Sequence, residues 1–195
     1  MITKVQAVCS IKAEDDITFE MLRIEDIRET DDYPGLRVFL NANYPPMKVP
    51  LTIDVTTGDV ITLKEIKYNF STMFDNEKIP VWTYTLETVL SEKIETVLTR
   101  GIANTRPRDY YDVYVLYKIK GSNIDYELLK QALEATTKKR GSEYVLDDCL
   151  SILETLKASK EQMNLWNKYQ KSYPYASEIN YRDTCNAVER IMNNL

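Results

Sequence analysis

The sequence predicts an α+β chain with strands first and helices second. Apolar residues recur with a period of two up to about residue 84, and with a period near 3.6 from there to the end. Turn residues punctuate the first part, while capping residues and isolated glycines punctuate the second. Runs of strands followed by runs of helices argue for α+β packing rather than for alternating strand–helix–strand units.

Residues 1–12 are ambiguous between a terminal helix and a strand. "ITFEM" alternates Ile17, Phe19 and Met21, and "IKYNF" alternates Ile66, Tyr68 and Phe70. Between them, "LRVFL" (36–40) and "VPLTIDVT" (49–56) are rich in β-branched and aromatic residues. "DDYPG" (31–35), "YPP" (44–46) and "TTGD" (56–59) are the expected turns. The first helix runs from an N-cap at Thr85 to Gly101, with Leu86, Leu90, Lys93 and Val97 at helical spacing. A second covers about 108–119 and stops near Gly121. Asp125 caps a third, which ends at Gly141. Ser142 or Glu143 opens a fourth, carrying Leu146, Cys149, Leu150, Leu153 and Leu156. A fifth carries Met163, Trp166, Tyr169 and Tyr173 and breaks at Pro174. Ser177 caps a sixth, with Thr184, Ala187, Val188, Ile191 and Leu195. The expected division is a β-rich part, 1–84, and a helical part, 85–195.

Composition narrows the chemistry. Apolar residues make up 44% of the chain, enough for a sizeable core. The net charge of −5 argues against a general polyanion-binding surface but leaves room for a local basic patch. No apolar run approaches a membrane span, and "VQAVCSI" (5–11) is too short and interrupted for a signal-peptide core. The expected location is the cytosol, with no membrane partner. Cys9, Cys149 and Cys185 have neither disulfide-framework nor metal-ligand spacing and are expected to be buried thiols. There is no histidine, which removes Ser-His and Cys-His nucleophile pairs and His-based metal sites. The five glycines are dispersed, so no phosphate-cradling glycine loop or dinucleotide fingerprint is present.

The informative residues are polar groups on apolar faces. At roughly 100° per residue, with Leu86 at zero, Leu90 falls near 40°, Val97 near 20° and Lys93 near 340°. An ammonium inside an apolar stripe must snorkel, pair or bind an anion. On the next helix, with Asp109 at roughly zero, Val113 falls near 40°, Leu116 near 340°, Asp112 near 300° and Ile119 near 280°. Asp109 has an ordinary explanation as a helix-start carboxylate stabilised by the helix dipole. That accounts for its place along the helix and not for its face. A structural Lys93–Asp109 ion pair between adjacent helices also satisfies the pattern. From Thr96 to Arg108 the chain carries Arg100, Arg106 and Arg108 and no acid. Such a loop is either simply solvated or holds a phosphate by charge-assisted hydrogen bonds. Asp54 interrupts the strand "KVPLTIDVT", where alternation places it with Thr52 and Thr56. It is an exposed strand carboxylate or a rigidly held metal ligand. Asp59, after Gly58, reads as a turn residue.

"DDITFE", "YPGLRVFLNA", "KVPLTIDVTTGD", "YTLETVLSEKIETVLTRGIANTRPRDYYDVYVLY" and "LEATTKKRG" occur in the order found in the AbiEii/AbiGii abortive-infection toxins, which this chain resembles over about residues 10–141. "LETVLSEKIE…NTRPRDYYD" is the most specific part. The resemblance implies a nucleotidyltransferase of a type IV toxin–antitoxin system with a role in phage defence. It implies a partial polymerase β-type nucleotidyltransferase sheet followed by a helical bundle. It also implies transfer of a nucleotide from a nucleoside triphosphate, with carboxylate-held Mg²⁺. An acceptor hydroxyl, on RNA, attacks the α-phosphorus and pyrophosphate leaves, a chemistry that rests on positioning and charge and needs no histidine.

By motif position, Lys93 of "SEKIE" matches the family's essential triphosphate-contacting lysine, and Asp109 of "RPRDYYD" its essential aspartate. Arg106 and Arg108 would flank the triphosphate. Asp54 of "TIDV" matches an additional acidic strand residue, a metal ligand. Asp112 recurs in the motif with a structural role. The family also carries an N-terminal "GG(T/S)…DxD" segment whose carboxylates bind metal. This chain has no glycine before Gly35, and "AEDD" (13–16) lacks the glycine-led context. The expectation is therefore a C-terminal portion, from a truncated gene product, a fragment or a split protein, inactive on its own. The alternative is a non-catalytic remnant that binds nucleotide, RNA or a cognate antitoxin.

Overall fold

The computed structural model describes residues 2–12, 16–27, 35–56, 61–62, 64–75 and 77–195. The expected turns at 31–34 and 57–59, with Gly58 and Asp59, and residues 13–15 of "AEDD" lie outside the described residues. The chain is α+β and comprises two units, Met1–Asp59 and Val60–Leu195.

In the first unit, α1 (Ile2–Cys9) resolves the ambiguous N-terminus as a helix. It precedes β1 (Thr18–Asp26), β2 (Leu36–Tyr44) and β3 (Met47–Val55), an antiparallel meander in the order β1-β2-β3. The "YPP" turn links β2 to β3, pairing Tyr44 with Met47. Alternation sends Val38 and Leu40 of β2 into the interior. The opposite register aligns Arg37 with Asp54 and Glu25 with Arg37, so one face carries a ladder of charges.

The second unit opens with a two-stranded antiparallel hairpin, β4 (Ile66–Ser71) and β5 (Lys78–Thr83). Helix α2 (Leu86–Arg100) starts where the Thr85 hydroxyl accepts from the Thr88 amide and ends at Gly101, whose φ of 49° suits a residue without Cβ. A 3₁₀ turn, Gly101–Ala103, leads into α3 (Pro107–Lys120), with proline in its first turn where no amide partner is lost. Asp125 caps α4 (Tyr126–Arg140) through the Leu128 amide, and Gly141 ends it in the left-handed region with φ 63°.

Two boundaries differ from the sequence expectation. The fourth helix is broken at Asp148 into α5 (Tyr144–Asp147) and α6 (Cys149–Ala158), and Leu150 turns to solvent. After α7 (Lys160–Ser172), Ser177 does not cap the last helix, α8 (Tyr181–Met192); Asn180 does. The reason is tertiary. Trp166 Nε1 donates to the Ile179 carbonyl, and Gln170 Nε2 to the carbonyls of Ala176, Ser177 and Ile179. Those bonds hold the segment open, so the helix starts three residues later.

Leu90, Ile94 and Val97 of α2 form the core with Tyr110 and Val113 of α3, Leu129 and Leu133 of α4, Leu153 and Leu156 of α6, Trp166 of α7, and Val188 and Ile191 of α8. Cys149 and Cys185 are buried free thiols, and burial pushes the Cys149 thiol up to about 11. Polar anchors fix the helices around this core. The buried Glu95 carboxylate on α2 accepts from Thr99, from Arg140 at the end of α4, and from Ser142. Glu87 accepts from the Asp125 amide, tying α2 to the start of α4. Arg140→Ala leaves a buried carboxylate without its cation. It is expected to cost about 3 kcal/mol, the lower end of the range for a broken buried pair because Arg140 is partly solvated. Lys157→Ala, at the more open Lys157–Glu189 pair, is expected to cost about 1 kcal/mol or less. Urea unfolding of the two variants checks the order; equal losses would contradict the clamp at Glu95.

Candidate active site

Lys93 projects from the middle of α2 toward the first two turns of α3. Its Nζ lies 2.6 Å from Asp112 Oδ2 and 3.4 Å from Asp109 Oδ1. The three side chains are 25%, 22% and 15% exposed, respectively, so the cluster is largely withdrawn from water while keeping one open side. The helical spacing explains the meeting. Asp109 and Asp112 are three residues apart on one face of α3, and Lys93 occupies the facing stripe of α2. The closer partner is Asp112, one turn further in than the sequence pattern suggested for the pair. Arg108 Nε approaches Asp112 Oδ2 at 3.9 Å across one helical turn, with its own side chain 78% exposed.

The two aspartates are not equivalent. Asp112 is charge-paired with Lys93 and Arg108. Asp109 receives only the longer lysine contact on Oδ1, and its Oδ2 is buried without a hydrogen-bond partner. A buried carboxylate oxygen without a donor is costly and needs a reason. The cluster is close to electroneutral, two cations against two anions. Arg106, exposed in the turn before α3, adds a positive charge at its edge.

The turn that presents Arg106 is built by a residue the sequence reading missed. Gln162, on α7, is buried, and its Nε2 donates at 2.8 Å to both the Ile102 and Asn104 carbonyls. Asn104 is itself buried, and its Oδ1 accepts from the Arg106 amide at 2.8 Å. The local signal for Gln162 is Ser159-x-x-Gln162, a helix-start pattern, and Ser159 does accept from the Gln162 amide. The glutamine side chain, however, reaches away from its own helix to the loop.

Asp54 belongs to the first unit. Both its oxygens are taken by one guanidinium: Arg37 Nε donates to Oδ1 at 2.7 Å and Arg37 Nη2 to Oδ2 at 2.8 Å. That bidentate hydrogen bonding holds the Asp54 carboxyl below its ordinary range. Among the described residues no group of three or more His, Cys, Asp or Glu is placed to hold a metal ion. With Asp54 occupied by Arg37, the described side chains as arranged do not make a Mg²⁺ site.

Gln162→Ala removes both donors to the 102–104 carbonyls. It is expected to destabilise the second unit by about 1–3 kcal/mol. It should also speed hydrogen exchange at the Arg106 amide more than at amides in the middle of α2. Unchanged exchange at Arg106 would show that Gln162 does not fix the loop.

A family model described as nucleotidyl transferase AbiEii toxin, type IV TA system, matches residues 1–194. Searches of curated proteins and of solved structures find no match. No helix among the described residues is long and apolar enough to cross a membrane.

Proposed function

The chain belongs to the AbiEii family of type IV toxin–antitoxin nucleotidyltransferases, and from that premise we propose that the α2–α3 cluster is its triphosphate contact. In this reading Lys93, Arg106 and Arg108 hold the phosphates of a nucleoside triphosphate, and Asp109 is the carboxylate left to act at the reacting centre. Asp112 positions Lys93. One observation carries the reading: Lys93 meets both motif aspartates, Asp112 also faces Arg108, and of the two aspartates Asp109 keeps a buried oxygen without a donor. A purely structural pair would be expected to satisfy both carboxylates.

The transfer is of a nucleotide to an acceptor hydroxyl on RNA, in a phage-defence setting with a cognate antitoxin as partner and the cytoplasm as compartment. The family generally uses Mg²⁺. Asp54, matched to a metal ligand by motif position, has both oxygens bound by Arg37 and is not assigned that role. The chain on its own is proposed to bind the triphosphate without turnover, because no group of described carboxylates is placed to hold the metal the family uses. The second reading, a non-catalytic module that binds nucleotide, RNA or antitoxin, draws on the pairing of Lys93 with two carboxylates.

Calorimetry with inorganic tripolyphosphate tests the site. Lys93→Ala is expected to lose binding by at least roughly tenfold, the scale of one charge-assisted contact. Asp112→Asn removes a competitor for the ammonium and is expected to tighten binding severalfold. Weaker binding in Asp112→Asn, or none lost in Lys93→Ala, would leave the cluster as a structural ion pair. Labelled nucleotide appearing on RNA with the chain alone would contradict the inactivity.

A further inference from the structure

Beside the cluster, a group of tyrosines runs from the core at Tyr169 out to the surface. Arg108, Tyr111 and Asp112 are neighbours on one face of α3, at i, i+3 and i+4. The Tyr111 ring packs on Tyr175 at 4.8 Å and on Tyr169 at 6.2 Å between centroids. Tyr173 lies 4.6 Å from Tyr169 and 5.5 Å from Tyr175. Tyr169 is buried, and its hydroxyl shares a 3.0 Å hydrogen bond with that of Tyr175. Burial is the main reason the Tyr169 hydroxyl is held above its ordinary range, with Asp112 and Arg108 both close enough to act on it. Tyr173 and Tyr175, by contrast, are 45% and 54% exposed.

These two rings are displayed on a rigid support. Tyr173 ends α7, with its amide donating to the Tyr169 carbonyl, and Pro174 opens the 3₁₀ turn Pro174–Ala176. Gln170 and Trp166 pin the carbonyls that follow. Half-exposed aromatic faces fixed in place before any ligand arrives are suited to stacking, because no ordering cost is added on binding. Their rings already touch each other, so a planar guest lies on an outward face and not between them.

We propose that Tyr173 and Tyr175 are the stacking platform for the base of the nucleoside triphosphate. The proposal rests on the phosphate-binding reading of Lys93, Arg106 and Arg108. Arg108 links the two parts, lying one turn from Tyr111 and flanking the phosphates. A free nucleotide is favoured over a longer strand because two rings offer room for one base, and because the chain carries a net charge of −5.

The test is calorimetry on the full chain with inorganic tripolyphosphate, ATP and CTP. Wild type is expected to bind the nucleotides roughly fivefold to a hundredfold more tightly than tripolyphosphate, the scale of one base–aromatic stack. Tyr175→Ala and Tyr173→Leu should erase most of that difference and leave tripolyphosphate binding unchanged, which also shows that the variants are folded. Tyr175→Phe keeps the ring and should keep the difference. Equal binding of nucleotide and tripolyphosphate by wild type, or a difference that survives both variants, overturns the platform. Nucleotide binding that depends on the tyrosines without any tripolyphosphate binding overturns the phosphate site and spares the platform. No binding of either ligand overturns both. An RNA oligonucleotide without a triphosphate that binds in a tyrosine-dependent way, while ATP and CTP gain nothing from these rings, overturns the assignment to the free nucleotide.

Discussion

The second unit is organised around one lysine that has more than one claim on it. Lys93 sits in the apolar stripe of α2, where its ammonium has to find compensation. The compensation is a pair of carboxylates on α3, Asp112 at 2.6 Å and Asp109 at 3.4 Å. That requirement fixes how the two helices face each other. Around them Leu90, Ile94 and Val97 meet Tyr110 and Val113 in the core, so the polar cluster and the apolar seam enforce the same orientation. Charge pairing alone would be a weak source of stability at this depth. Its larger effect is to hold the ammonium at the open side of the α2–α3 junction, next to the arginines.

The surrounding shell reads as support for that position. Glu95, two residues on from Lys93, anchors the other side of α2 through Arg140, Ser142 and Thr99. Gln162 reaches across from α7 to hold the turn that carries Arg106. Helix α2 is thus fixed from both sides, and the loop between α2 and α3 is fixed from behind. Preorganisation of this kind is what a phosphate contact needs, since a cation held in place gives up little entropy when the anion arrives. Under the proposed reading the same arrangement sets a cost: the anion has to compete with carboxylates already in contact with the lysine.

Features written in local chemistry were legible in the sequence. The caps at Thr85 and Asp125 and the glycine ends at Gly101 and Gly141 depend on bonds between residues a few positions apart, and they stand where the pattern places them. Lys93, Asp109 and Asp112 were legible because charged groups on an apolar stripe are anomalous in themselves. What was not legible depends on distant partners. Asn180 replaces Ser177 as a cap because Trp166 and Gln170 hold the intervening carbonyls. Gln162 acts on Asn104, fifty-eight residues away, and nothing local to it announces that contact. The Arg37–Asp54 pair follows from strand register, which alternation constrains to a face but not to a partner. The tyrosines of α7 read as core, and Tyr169 is; the half-exposure of Tyr173 depends on how the following turn is pinned.

The central claim is that the Lys93 ammonium is an anion contact held ready by two carboxylates. The most direct measurement is the lysine side-chain ¹⁵N resonance, assigned through a Lys93→Arg variant and followed during titration with tripolyphosphate. The account predicts that the Lys93 signal moves saturably, and with a larger change than any other lysine, as the phosphate displaces the carboxylates. A Lys93 signal that stays in place while tripolyphosphate binds would contradict it and assign the lysine to the fold alone.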